Sequence, residues 1–160
     1  THAIRAERGW SYSAYSHLQV GRIAGSWSLW THPPVDVAAE CAALELEMME
    51  RFIADGPTSK EMRQCKRYLV GSRCMDEDTA SKRVDLAIEA VLRERDVDFP
   101  RQFAKRVRSV KRADVKDAFG KHTNARDVSI VAVGDASTLE PAFAALLGVR
   151  DVEVVDIDAA

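Results

Sequence analysis

The chain reads as an α/β (α+β) domain in which a mixed, largely antiparallel sheet is covered on one side by helices. Three observations predict this: a helix-to-strand change of period at Gly9, a long helical pair opened by prolines, and a β-branched run near the C-terminal end. With 160 residues, 46% hydrophobic and 30% charged, one domain is the expected organisation over 1–160. The 23 basic and 25 acidic residues leave a net charge of −2, so bulk electrostatics favour neither nucleic acid nor a membrane surface as partner. No apolar run approaches the roughly 20 residues that a membrane-spanning helix needs.

The first element is a helix over Ala3–Arg8, all good helix formers, closed by Gly9 in the left-handed position that follows a helix end. A period of two follows. Trp10, Tyr12, Ala14 and Ser16 fall on one face and Ser11, Ser13, Tyr15 and His17 on the other. Arg5 and Tyr12 flank this bend, so a permanent cation and a phenol could converge on one point and hold a carbonyl or oxyanion. From the residues alone, the plainer reading is that Arg5 caps a helix end and Tyr12 is a cross-strand aromatic.

A second strand is expected from about Arg22 to Thr31, paired with the first as a hairpin, with Ile23, Gly25, Trp27 and Leu29 on one face. Its small residues Ala24, Gly25, Ser26 and Ser28 leave room for another backbone. Trp10, Trp27 and Trp30 read as buried area, with the lining of a substrate cleft as the alternative. After Pro33 and Pro34 a long helix carries Val37, Cys41, Leu44, Met48 and Phe52 as one stripe and stops at Asp55-Gly56-Pro57. Thr58 and Glu61 form a capping box for the next helix, with Met62, Cys65 and Leu69 inward and Gly71 at a tight crossing.

Beyond the acidic junction Asp76-Glu77-Asp78, a helix from Thr79 places Val84, Ala87, Ile88 and Val91 inward. Helices near Pro100 and Arg112 follow, the last without a capping side chain because Lys111 accepts no hydrogen bond and Asp114 is left to compensate. The basic residues Arg101, Lys105, Arg106, Arg108, Lys111 and Arg112 read as a solvated helix face. Val128–Val133 is expected to be a strand buried on both faces, followed by a helix with Leu139, Phe143, Leu146 and Leu147 and an edge strand over 152–157.

The three cysteines favour free, buried thiols; Cys65 and Cys74 lie on opposite sides of one helix, and Cys41 with Cys65 is the bridge two helices could make. His2, His17, His32 and His122 are scattered, none with a second His at helical spacing, so no metal site is expected in this chain. No Gly-x-Ser-x-Gly elbow supports a serine nucleophile.

Taken together, several pieces in order resemble one family. Arg5 to Tyr12, Gly25-Ser26-Trp27-Ser28-Leu29, Glu61 with Cys65-Lys66-Arg67-Tyr68-Leu69-Val70-Gly71-Ser72, Ser109-Val110 with Ala113-Asp114-Val115, and Val128 to Asp135 are similar to the C-terminal half-repeat of the pitrilysin/insulinase metallopeptidases. These are the inverzincins, whose relatives include the mitochondrial processing peptidase. The resemblance implies two half-repeats facing across a chamber, one carrying zinc on His-x-x-Glu-His and the other supplying an Arg and a Tyr to the scissile carbonyl. It assigns those roles to Arg5 and Tyr12. The zinc motif is absent here, so zinc is expected in a companion domain or subunit and this chain alone is expected to be inactive.

The implied function is the substrate-binding half of a zinc metallopeptidase acting on peptides or unfolded proteins. The alternative is an inactive structural or assembly subunit of the same fold, and a third reading, outside the family, is a small α/β binding module complete in itself. Family half-repeats begin with a strand and a helix before the Arg-bearing helix, whereas here Thr1 already lies at that helix. A fragment is therefore expected, with an unpaired sheet edge that could recruit a second copy by strand or segment exchange.

Overall fold

A computed structural model describes residues 2–21, 23–146 and 148–156. The chain divides into two compact units, Thr1–Arg51 with Asn124–Ala160, and Phe52–Thr123, the first of the two boundaries falling within one helix.

In the first unit, a π-helical turn over His2–Glu7 precedes the antiparallel strands β1 (Ala14–Val20) and β2 (Gly25–Thr31). The ladder runs in register from Ala14 opposite Thr31 to Val20 opposite Gly25, and Tyr15 stacks on its cross-strand partner Trp30 with ring centroids 6.5 Å apart. The hairpin was expected; its first strand starts four residues later than the alternating pattern suggested. The room left by Gly25 is taken by its own partner strand, because a Cβ there would lie 2.7 Å from the Gln19 carbonyl oxygen. The second strand begins at Gly25 rather than near residue 22: Arg22 lies outside the described residues, and Ile23, 99% exposed, and Ala24 precede the ladder.

A 3-10 turn at Val35–Val37, entered from Pro34, leads into α1 (Ala38–Asp55). The core joins Ile4, Ala14 and Cys41, with Trp10 and Leu44 packed against it. Helix α6 (Ala136–Ala144) buries Leu139 and Phe143, and the Asp135 carboxylate accepts hydrogen bonds from the Thr138 N–H and hydroxyl and from the Ser137 hydroxyl. These three bonds hold the Asp135 carboxyl below the usual carboxylate range.

Val128–Val133 is not a buried strand. It has no ladder partner among the described residues, and Val131 and Val133 are 87% and 93% exposed. A β-branched run records fitness for a pleated, packed surface, and pairing needs a neighbouring strand that the described ladder does not offer. The same applies to 152–156; Ile157, the end of that expected strand, and Leu147 of the preceding helix lie outside the described residues.

The second unit holds α2 (Ser59–Asp76), α3 (Ala80–Leu92), α4 (Phe99–Ser109) and α5 (Arg112–His122). The Thr58–Glu61 capping box forms in full, with Thr58 N–H donating to Glu61 at 2.6 Å and Glu61 N–H donating to the Thr58 hydroxyl at 3.2 Å. Asp114 does compensate for Lys111, accepting the Lys111 N–H at 2.8 Å. Phe52 meets Phe119 edge to face, centroids 4.9 Å apart.

Two helix faces are rotated from expectation. In α2, Cys65 and Leu69 are exposed while Met62, Lys66, Val70 and Arg73 turn inward, because this face serves α4: the Lys66 ammonium donates to the Arg108 carbonyl and Arg73 lies over the Phe103 ring. In α3, Ala87 is half-buried as expected, but Val84, Ile88 and Val91 face outward, and Ala90 is the buried residue. The cysteines follow suit, all three free but only Cys41 buried.

Gly71 meets no tight crossing, since a Cβ there would find nothing within 4 Å. Gly71→Ala is therefore expected to raise stability by about 1 kcal/mol through helix propensity, measured by urea unfolding. A loss of stability would place a close neighbour at that position.

Candidate functional site

The bend predicted between helix and strand is present. Gly9 has φ +66°, the left-handed conformation, and the Trp10 N–H donates to the Ile4 carbonyl at 3.1 Å. That bond reaches one residue further back than the closure of an α-helix, as it must after a π turn. Ile4 is 2% exposed and anchors the turn in the core.

With Ile4 inward, Arg5 faces solvent. Its guanidinium carbon lies 4.7 Å from the centroid of the Tyr12 ring, so the structure brings the two sequence-selected residues together. Tyr12 is 84% exposed and precedes β1, so it has no cross-strand partner. It is Arg8, not Arg5, whose guanidinium donates to a carbonyl of the turn, that of Ala3 at 3.3 Å. Among the described residues the carbonyl contact is thus made by Arg8 rather than Arg5, and Tyr12 is not a cross-strand aromatic. Arg5 makes no ion pair among the described residues, leaving its donors available beside the phenol.

Sequence reasoning missed the latch beneath this pair. Ser11 is buried, donates from its hydroxyl to the Ser13 carbonyl at 2.5 Å and accepts the His32 N–H at 2.9 Å. The Ser13 hydroxyl lies 3.2 Å from His32 Nδ1. These bonds continue the hairpin past the end of its ladder and hold Tyr12 between two tethered serines. A serine inside an alternating pattern gives no sign of such a role.

None of the tryptophans is fully buried; Trp10 packs under the Arg8 guanidinium at 5.2 Å, Trp27 is half-buried and Trp30 exposed. Among the described residues no three His, Cys, Asp or Glu side chains are grouped to hold a metal ion, and no described helix is long and apolar enough to cross a membrane.

The overall arrangement has a counterpart among solved structures. A peptidase M16 inactive domain from Pseudomonas fluorescens superposes with a TM-score of 0.67 over 78% of this chain, at 22% identity. The fold is shared with a peptidase M16 inactive domain. In sequence, a Helicobacter pylori protein named non-peptidase homolog YmxG is 21% identical over 132 residues, 82% of this chain. The chain spans 31% of that protein and 29% of the Pseudomonas chain. No protein-family model matches it.

Beside the core, the half-buried Glu45 has its carboxyl pushed above the usual range by burial, opposed by a hydrogen bond from Thr31. Burial likewise raises the Cys41 thiol, keeping it protonated and unreactive. A carboxyl raised in the folded state favours folding when protonated and loses that contribution as pH rises through its folded value. Glu45→Gln is thus expected to stabilise the protein at neutral pH, with the difference from wild type vanishing as pH falls below the ordinary carboxylate range. Thermal melts across pH would show it; a destabilised variant at neutral pH would contradict it.

Proposed function

We propose that this chain is a non-catalytic half-repeat of an M16-type protein, serving assembly with a companion half and carrying no peptidase chemistry of its own. The observation that supports this best is the fold shared with a protein described as an M16 inactive domain, together with a sequence relative named a non-peptidase homolog. The surfaces fit the role. The apolar residues Val128, Ile130, Val131 and Val133 are exposed and have no ladder partner among the described residues, and the hairpin exposes Tyr15, Leu18, Val20 and Trp30. A companion half that adds a strand and covers these residues would bury apolar area worth roughly 25 cal/mol per Å².

A second reading rests on one specific observation, the Arg5–Tyr12 pair standing exposed with its donors available. In that reading the companion half carries zinc on His-x-x-Glu-His, and the guanidinium and phenol donate hydrogen bonds to the carbonyl oxygen of a bound peptide as it gains negative charge. Each such donor would contribute about 2.7 to 4 kcal/mol of transition-state stabilisation.

The two are separated by assaying peptide hydrolysis and zinc content in the complete natural protein with its companion half. The assembly reading expects no zinc-dependent hydrolysis, and Arg5→Ala and Tyr12→Phe variants that assemble as wild type does. Hydrolysis that falls about a hundredfold or more in either variant, with zinc retained, would replace it with the second reading.

A further inference from the structure

The second unit contains a cleft of about 340 Å³ lined by Arg95, Asp96, Phe99, Gln102 and Arg106. Its geometry follows from how α3 ends. Arg93 is the C-cap, Glu94 takes φ 57°, and the paired closing bonds form: Glu94 N–H to the Val91 carbonyl at 2.9 Å and Arg95 N–H to the Ala90 carbonyl at 2.9 Å. The left-handed conformation favours glycine and is strained for a glutamate. It turns the chain so that Arg95, the residue just past the closure, lies over the first residue of α4.

That residue is Phe99. The Arg95 guanidinium sits 4.4 Å from its ring centroid and that of Arg106, two turns along the same face of α4, sits 4.8 Å away. Gln102 stands between them on that face. Neither arginine makes an ion pair among the described residues, whereas Arg101 on the same helix is paired with Asp98 at 3.0 Å and Arg93 with Glu89 at 2.8 Å. Two guanidiniums without an ion-pair partner among the described residues thus lie against one aromatic ring. Asp96, its Oδ1 already accepting the Asp98 N–H at 2.7 Å, leaves the lining with a single net positive charge.

We propose that this cleft binds one carboxylate carried next to an apolar side chain, on an extended peptide segment of a partner protein. The forked guanidinium donors suit a carboxylate, the Gln102 amide adds a donor, and the part of Phe99 that lines the cleft accepts the apolar neighbour. Asp96 sets the selectivity. It repels a second negative charge, which disfavours phosphate dianions and nucleic-acid backbones relative to a monoanionic carboxylate. The carboxylate can come from a peptide C-terminus or from an acidic side chain.

The test uses the whole chain and three fluorescein-labelled peptides read by anisotropy: one ending in Phe with a free C-terminus, its C-terminally amidated twin, and an amidated peptide with an internal Phe-Glu pair. One or both carboxylate-bearing peptides should bind, the one that does identifying the source, and the amidated twin should not. Arg95→Ala and Arg106→Ala, both at exposed positions and so expected to fold, should each weaken binding about tenfold. Arg101→Ala should leave it unchanged. Binding of the amidated twin at equal strength, no binding by any peptide, an equal loss in Arg101→Ala, or displacement by inorganic phosphate as effective as by acetate would overturn the proposal.

Discussion

In the first unit, the N-terminal bend and the hairpin are tied to α1 by the burial of Ile4 against Ala14 and Cys41. This contact joins three elements that are separate in sequence, the N-terminal π turn, the start of β1 and the first turns of α1. Removing so small a cluster from water is worth a few kcal/mol at most, yet it fixes the sense of the bend. Ile4 inward means Arg5 outward, and Gly9 in the left-handed conformation returns the chain so that Tyr12 comes beneath that guanidinium. The latch from Ser11 to Ser13 and His32 then fixes the backbone on either side of Tyr12. An exposed cation–phenol pair is produced here by core packing one residue away from it.

Where a feature depended on a few adjacent residues, the sequence showed it. Gly9 after a run of helix formers, the Thr58–Glu61 box, the prolines before α1 and the hairpin around residue 21 all take their form from local steric and hydrogen-bonding rules, and all are present. Features set by distant packing were hidden. The apolar stripe of α3 points outward because Ala90 packs inside, and α2 turns Lys66 and Arg73 toward α4 because a cation with a long apolar stem can cover a helix and still reach a carbonyl or a ring. At the bend, Arg5 and Tyr12 were legible from their positions on either side of Gly9, but the buried serine between them was not. The Arg95–Phe99–Arg106 cleft was hidden for a further reason: its turn places a glutamate where glycine is the usual signal.

The Val128–Val133 segment joins the two kinds of evidence. Its composition is that of an interior strand, and its surroundings are those of a surface. Such a conflict is what an assembly half would show when considered without the strand that covers it, since edge pairing satisfies both the backbone hydrogen-bonding groups and the β-branched side chains at once. The proposed assembly role follows from this conflict together with the fold shared with an M16 inactive domain.

The most direct measurement is amide hydrogen exchange across 128–133 in the protein assembled with the companion half proposed above. The account predicts slow exchange at alternating amides, the protection pattern of a strand paired on an edge. Exchange throughout the segment at the rate of free, solvated amides would contradict it.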